Sequence, residues 1–224
     1  MSKEISEKLV RQIADRLSFV RSSIENYSNE IGVNPPELIA VSKTKPVEYI
    51  QAAYDCGQRH FGENYAQEMA RKAEILSDFD ITWHFIGHLQ RRHVSSVSSI
   101  STFIHAVDST RVLDRLKSVG SHSNILVQVN ISSELSKFGV KLENAPELVE
   151  YGRNLGLKIR GLMTIGAFAW SEEETVHAFR RVAQMKDNLS LDYLSAGMSG
   201  DWKSAVLVGS THVRIGTAIF GSRE

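Results

Sequence analysis

The feature that most constrains this 224-residue chain is a repeated alternation of short apolar runs with helical segments. The predicted strands are residues 38–41, 60–62, 81–86, 102–107, 125–130, 157–165, 193–196 and 212–215. Each except the last is followed by a predicted helix. Several runs are apolar throughout, which is typical of parallel strands buried on both faces. About eight such units predict a (β/α)8 TIM barrel, a fold of typically ~250 residues, with a doubly wound open sheet as the alternative.

Residues 1–33, ahead of the first strand, are predicted to form a helix that packs on the barrel. Apolar residues recur there at steps of three and four, and Pro35-Pro36 ends the segment. Further along, Asp108 and Asn144 are predicted N-caps, and Ser171 with Glu174 is a predicted capping box. No linker, repeat or low-complexity tract divides the chain, so residues 1–224 are predicted to form a single domain.

The composition of the chain excludes several classes of function. The 26 basic residues balance the 26 acidic ones, so the chain lacks the basic excess of proteins that bind nucleic acid or membrane surfaces. No apolar run approaches the ~20 residues of a membrane span, and the charged N-terminal segment does not fit a signal peptide. The single cysteine, Cys56, excludes an internal disulfide and a multi-cysteine metal site. We therefore expect a soluble, cytoplasmic protein without nucleic-acid or membrane partners.

The first predicted strand runs into Ser42-Lys43-Thr44-Lys45-Pro46. In a TIM barrel the chemistry lies at the carboxyl ends of the strands, so Lys43 is predicted to lie at the barrel mouth. Neighbours that desolvate such a lysine favour the neutral amine, which can attack a carbonyl carbon. The alternative is a solvated loop lysine, a description that fits Lys45 better than Lys43.

The next two predicted strands also end in polar residues. Asn64 follows Gly62-Glu63, so it either caps the next helix or projects into the mouth. His84 is predicted to face into the mouth, where its imidazole can stack on a ligand ring or form a hydrogen bond with it. No metal site is predicted, because His84 and His88 lie in a strand and its turn and not one turn apart on a helix.

The last two predicted strands are followed by turns rich in small residues. Residues 195–201 read SAGMSGD and residues 213–221 read VRIGTAIFG. Glycines let backbone N–H groups approach an anion, and Ser199 and Thr217 add hydroxyl donors. Loops after the seventh and eighth strands of TIM barrels frequently form phosphate sites. The alternative is that these residues only form turns.

A phosphate cradle that faces a reactive lysine across a barrel mouth is the layout of a pyridoxal phosphate site. Arg214 lies two residues before Gly216, so its side chain could reach the same ligand. A guanidinium beside the pyridine nitrogen accepts no proton and keeps the ring neutral, which weakens the ring as an electron sink. Strong carbanion chemistry is then less favourable, while exchange of imines remains possible.

The chain resembles the pyridoxal phosphate homeostasis protein family, also described as proline-synthase co-transcribed proteins. The matching stretches are LIAVSKTKP, GQRHFGENYAQE, WHFIGHLQ, HAVDS, LVQVNIS with SKFGV, IRGLMTIG, SAGMSGDW and VGSTHVRIGTAIFG. The resemblance implies a barrel of fold type III, similar to the N-terminal domain of alanine racemase. It also implies site roles. Lys43 forms a Schiff base with the cofactor, and Arg214 faces the pyridine nitrogen. Asn64 and His84 line the ring, and the phosphate is held by Met198, Ser199, Gly216 and Thr217.

Two stretches depart from the family pattern. Arg91-Arg92-His93 follows LQ where relatives often continue with a polar residue and Asn-Lys, and residues 165–168 replace a loop that often contains proline. Both lie outside the lysine and cradle motifs, so they bear on loop contacts and surface partners and not on binding of the cofactor.

The length of the chain favours a carrier of the cofactor over a racemase. A racemase of this fold adds a second domain that supplies an acid opposite the lysine, whereas the predicted barrel uses nearly all of this chain. A one-sided site lacks the second acid–base group that racemisation needs. We therefore expect a monomeric pyridoxal 5'-phosphate-binding protein, without specific turnover, that acts in intracellular vitamin B6 and amino-acid homeostasis. Pyridoxal-phosphate-dependent apoenzymes are its expected transient partners. The alternative is an amino-acid racemase or decarboxylase.

Overall fold

Parallel strands close into a barrel in the computed structural model, which describes residues 7–132, 138–167 and 169–222. The strands are β1 (Glu37–Val41), β2 (His60–Glu63), β3 (Thr82–Phe85), β4 (Phe103–Val107), β5 (Asn124–Asn130), β6 (Val140–Lys141), β7 (Ile159–Thr164), β8 (Tyr193–Ser195) and β9 (His212–Ile215). Around the barrel the order is β1-β2-β3-β4-β5-β7-β8-β9, closed by pairing of β9 with β1, and β6 adds to the edge of β5. The predicted eight-stranded TIM barrel is confirmed.

Helices cover the outside of the barrel. They are α1 (Glu7–Glu30), α2 (Val47–Asp55), α3 (Ala66–Ile75), α4 (Val94–Ile100), α5 (Thr110–Ser118), α6 (Ala145–Asn154), α7 (Glu172–Asn188), α8 (Trp202–Leu207) and α9 (Thr217–Phe220). The predicted capping box is confirmed. Ser171 Oγ accepts the Glu174 N–H at 3.2 Å, and the Glu174 carboxylate accepts the Ser171 N–H at 2.7 Å.

Two local predictions were wrong, and a third was right about the position alone. Asp108 does not cap α5, because that helix begins one residue later with Ser109 in the N-cap position. Asn144 occupies the N-cap of α6 without a side-chain capping bond, since a 3-10 turn over Leu142–Asn144 leads into the helix. The last strand is also followed by a helix, α9, whose single turn is too short to give a periodic signal.

The long helix α1 packs across α2, α8 and α9. Its buried stripe contains Ile13, Leu17, Val20 and Ile24 at steps of three and four, as the periodicity predicted. The first six residues of the predicted helix lie outside the described part of the chain. Among the helices the structure describes, none combines the length and apolar character needed to cross a bilayer.

The core has two parts. The larger part fills the space between the strands and the helices, and the smaller part lies inside the barrel around Phe103, Leu126 and Met163. The interior is tightly filled beside β2. A Cβ at position 62 would lie 3.0 Å from Ile39 Cγ2 and 3.2 Å from Ile86 Cδ1, so glycine is the residue that leaves room there.

Candidate cofactor site

Lys43 lies in the turn that follows β1, and its side chain is half-buried. Strand β1 stands between β2 and β9 in the barrel, so the end of β1 is flanked by the turns that carry Asn64 and Gly216. A Cβ at position 216 would lie 3.1 Å from the carbonyl oxygen of Val41. The structure therefore brings Lys43 next to the last turn of the barrel.

The turn after β8 is fixed by its own contacts. Gly197 has a φ of +94°, and a Cβ there would lie 2.6 Å from the Cβ of Ala205, so only glycine fits. The Asp201 carboxylate accepts the backbone N–H of Met198 at 2.6 Å. Met198 and Ser199 are exposed at the rim, but the N–H of Met198 is already engaged. Sequence reasoning missed this role of Asp201.

The turn after β9 supplies the other side of the predicted cradle. Gly216 is half-buried in the N-cap position of α9, and Thr217 is exposed as the first residue of that helix. Strands β8 and β9 are neighbours, so their two turns lie side by side. The structure thus places Ser199 and Thr217 on adjacent turns, with both side chains open to solvent.

Arg214 is buried among the carboxyl ends of β7 and β8. Its Nη1 donates to Ser195 Oγ at 2.6 Å, and its Nη2 donates to the carbonyl oxygen of Thr164 at 2.8 Å. Burial lowers the pKa of the guanidinium to about 10, against the opposing effect of the Asp201 charge. Arg214 therefore stays charged at neutral pH, and its contact with a ligand stays a prediction.

Asn64 is half-buried in the turn after β2, and it does not cap the next helix. Its Oδ1 is inaccessible to solvent and has no hydrogen-bond partner among the described residues. The backbone of Asn64 is fixed by close packing, because a Cβ at position 87 would lie 2.0 Å from its carbonyl oxygen. Of the two interpretations that the sequence left open, the capping bond is absent and projection toward the mouth remains.

His84 lies wholly inside the barrel. Its ring stacks on Phe103 with a centroid distance of 4.8 Å, and its two nitrogens lie 3.0 Å from His60 Nδ1 and 2.9 Å from His105 Nε2. Burial holds the pKa of His84 well below its usual value, so the ring is neutral. Both nitrogens already have partners, and contact of His84 with a ligand ring stays a prediction. The part of the chain that the structure describes contains no group of three His, Cys, Asp or Glu arranged to bind a metal.

Sequence comparison finds relatives along almost the whole chain. The family model described as alanine racemase, N-terminal domain, matches residues 17–224. The pyridoxal phosphate homeostasis protein of Vibrio alginolyticus is 41% identical in an alignment that covers 95% of this chain and 98% of that protein. The chain belongs to the pyridoxal phosphate homeostasis protein family.

Solved structures of one relative, PipY, have the same fold as the present protein. PipY from Synechococcus elongatus PCC7942 is 34% identical in sequence, and the match covers 93% of this chain and 100% of that chain. The structure of PipY without PLP aligns with a TM-score of 0.84, and the structure with PLP bound aligns with a TM-score of 0.78.

The departures from the family pattern lie on different sides of the barrel mouth. Arg91–His93 form a 3-10 turn before α4, where Arg92 Nε donates to His93 Nε2 at 3.1 Å. Arg92 and His93 line a small cleft of about 210 Å³ that also reaches Asn64. Gly166 packs toward Asp201, with 2.9 Å between its would-be Cβ and Oδ2, and Phe168 lies outside the described residues.

Sequence reasoning also missed a buried charged group behind Lys43. Lys72 on α3 is fully buried, and its ammonium group contacts Glu63, Glu68 and the backbone of Ser42. Lys72 stands three residues after Met69 and four before Leu76, both of which are buried. This helical spacing is the signal that could have shown a lysine on the apolar face.

Proposed function

We propose that this protein binds pyridoxal 5'-phosphate as a Schiff base of Lys43 and acts in intracellular vitamin B6 and amino-acid homeostasis, without specific catalytic turnover. The observation that carries the proposal is the position of Lys43, half-buried at the end of β1 beside the glycine turn at position 216. The PLP-bound structure of a relative with 34% identity supports the same ligand here.

The residues present fit this cofactor. The two turns after β8 and β9 offer the exposed hydroxyls of Ser199 and Thr217 as donors for a phosphate. The lack of a side chain at Gly216 lets the last turn pack against the carbonyl oxygen of Val41, two residues before Lys43. The orphaned Oδ1 of Asn64 is a buried acceptor that lacks a partner among the described residues. The cofactor supplies an aldehyde, which condenses with a lysine amine and releases water.

Arg214 supports a role in holding and exchanging the cofactor over a role in catalysis. Its bonds to Ser195 and Thr164 fix the plane of a guanidinium that remains protonated at neutral pH. Such a group can donate to a pyridine nitrogen but cannot protonate it, so a bound ring stays neutral and withdraws electrons weakly. Relatives that carry the name homeostasis protein agree with this interpretation.

We further propose that the chain works as a monomeric single domain in the cytoplasm, with pyridoxal-phosphate-dependent apoenzymes as transient partners. The balance of 26 basic and 26 acidic residues supports a protein that is not retained on anionic surfaces. Sedimentation of the protein with and without the cofactor tests the monomer directly, because a dimer has twice the mass of the monomer.

The decisive experiment is reductive trapping. The protein is mixed with pyridoxal 5'-phosphate, its absorption spectrum is recorded, borohydride is added, and the modified peptide is identified by mass spectrometry. Lys43→Ala should abolish the imine band and the modification, whereas the matched variant Lys45→Ala should keep both. An unchanged band in Lys43→Ala would overturn the assignment. Turnover of free alanine or lysine at ~1–1000 s⁻¹ would favour the racemase or decarboxylase alternative.

A further inference from the structure

The turn that carries Lys43 also carries Lys45, and the residue between them has an unusual backbone conformation. Thr44 has a φ of +63°, in the left-handed region that β-branched residues rarely adopt. The turn is closed by the Lys45 N–H, which donates to the carbonyl oxygen of Ser42 at 3.0 Å. A turn of this type favours glycine at the position of Thr44, so the surrounding structure must stabilise this conformation.

Helix α3 provides that support through Lys72. The Lys72 ammonium donates to the carbonyl oxygen of Ser42 at 2.8 Å, to Glu63 Oε1 at 2.7 Å and to Glu68 Oε1 at 2.7 Å. These three bonds use all three of its donors. The side chain of Lys72 is fully buried, so its charge is held where water cannot substitute for a lost partner.

The two glutamates extend the same network to both flanks of Lys43. Glu68 Oε1 also accepts the backbone N–H of Thr44 at 2.7 Å. Glu63 Oε1 accepts the hydroxyl of Ser42 at 2.7 Å. The residue before Lys43 and the residue after it are therefore both bonded to groups on β2 and α3, behind the barrel wall. Charge-assisted bonds of this kind are stronger than neutral ones.

The two lysines of the turn have different surroundings. Lys45 Nζ donates to the carbonyl oxygen of Ser222 at 2.8 Å and lies 5.5 Å from the centre of the Tyr49 ring. Lys45 therefore contacts the C-terminal segment and α2. Since Thr44 reverses the chain between the two lysines, a change in its φ would alter which amine is presented at the mouth.

We propose that Lys72 and Glu68 are positioning residues, which hold the Ser42–Lys45 turn so that Lys43 and not Lys45 meets the aldehyde of the cofactor. This inference rests on the proposed function. In the step concerned, the neutral Lys43 amine attacks the aldehyde carbon and a carbon–nitrogen double bond forms. The aldehyde oxygen leaves as water with the two protons of the amine, so no other reactant is consumed.

The first measurement needs no cofactor. Hydrogen exchange of the segment 42–46 is compared in the wild-type protein, Glu68→Ala, Glu68→Gln and Glu74→Ala. Glu74 is exposed on the same helix and outside the network, so it is the matched control. Glu68→Ala should speed exchange of the Thr44 amide by about tenfold or more, because the acceptor of that amide is lost. Glu68→Gln keeps an acceptor oxygen and should exchange more slowly than Glu68→Ala.

The second measurement is the site of reductive trapping at limiting pyridoxal 5'-phosphate. We expect modification of Lys43 in the wild-type protein and in Glu74→Ala. In Glu68→Ala and Lys72→Met, Lys43 should be labelled several-fold more slowly and the share of label on Lys45 should rise. Glu68→Gln should recover selectivity for Lys43. A general loss of stability would slow labelling without moving it to Lys45.

The outcomes separate the two proposals. Unchanged exchange at Thr44 together with unchanged selectivity in Glu68→Ala and Lys72→Met would overturn the positioning role. If wild-type protein is not labelled at Lys43, the proposed function fails, while the exchange data still decide whether Glu68 holds the turn. If Lys72→Met does not fold, Glu68→Ala alone carries the test.

Discussion

His84 Nδ1 lies 2.9 Å from His105 Nε2 inside the barrel, in a cluster that also contains His60 and His212. Because His105 Nδ1 is buried without a partner among the described residues, the tautomer that avoids a buried orphan N–H puts its proton on Nε2. His105 then donates to His84, and His84 donates to His60 Nδ1 at 3.0 Å. At the outer end of this series of hydrogen bonds, His60 Nε2 lies 3.7 Å from Glu37 Oε2.

This cluster predicts that the protein loses stability in acid. Burial and the neighbouring histidines hold the pKa values of His84 and His105 well below 6.5, and the charge of Arg214 adds to the effect on His105. Burial lowers the pKa of His212 to about 4. The unfolded state therefore binds protons that the folded state does not. The stabilisation is complete above the unfolded pKa near 6.5, and it declines as the pH falls from there toward about 4.

Each such histidine should contribute a slope of up to about 1.4 kcal/mol per pH unit to the free energy of unfolding. Denaturant unfolding at a series of pH values measures this slope. His105→Leu should reduce it, whereas His177→Gln, at an exposed position on α7, should leave it unchanged. A free energy of unfolding that stays constant between about pH 7 and about pH 5 would contradict the prediction.

The second prediction compares the stability cost of an alanine at Gly197, in the turn after β8, with the cost at Gly209, between α8 and β9. Both have positive φ values, +94° and +81°, but a Cβ at 197 would meet Ala205 at 2.6 Å whereas a Cβ at 209 would meet nothing within 4 Å. Gly209→Ala should cost about 1 kcal/mol through backbone strain alone. Gly197→Ala should cost about 1–3 kcal/mol more, because overpacking is added. Equal losses in thermal or denaturant unfolding would show that the turn relaxes to accept the extra methyl group.

The sequence was sufficient to predict the barrel because its signals are local. Alternating strand and helix periods give the order of the elements, and the last strand, His212–Ile215, has the predicted bounds. The histidine cluster could not be predicted. His60 and His212 begin their strands whereas His84 and His105 lie within theirs, and the stagger that brings them together arises only when the barrel closes.

The candidate site also contains residues whose place the sequence predicted and residues whose role it could not predict. Lys43, Ser199 and Thr217 lie two or three residues after the ends of predicted strands, so counting strand ends was enough to place them at one end of the barrel. The roles of Lys72 and Asp201 could not be read from their positions. Each stabilises a turn through hydrogen bonds to backbone groups, at Ser42 and at Met198, and such bonds depend on how separate elements pack.

Asn64 gives a prediction that separates binding from stability. Its Oδ1 has no partner among the described residues, so Asn64→Ala removes an unsatisfied buried acceptor and should change the free energy of unfolding by less than about 1 kcal/mol. Affinity for pyridoxal 5'-phosphate should fall by roughly threefold to tenfold if the amide contacts the ligand. Gln67→Ala, exposed on the neighbouring turn of α3, is the control for both measurements. A large loss of stability with unchanged affinity would assign Asn64 a structural role.

The exposed hydroxyls of Ser199 and Thr217 give the last prediction. Neither side chain has a hydrogen-bond partner among the described residues, so replacement by alanine should leave the stability of the unliganded protein nearly unchanged. A hydrogen bond to a charged phosphate contributes about 1.5–3 kcal/mol, so each single variant should weaken binding roughly tenfold or more, and the double variant should weaken it roughly a hundredfold or more. Equilibrium titration by absorbance measures the dissociation constant, and Ser95→Ala, exposed on α4, is the control. If the double variant retains wild-type affinity, the phosphate is held elsewhere and the two closing turns are not its cradle.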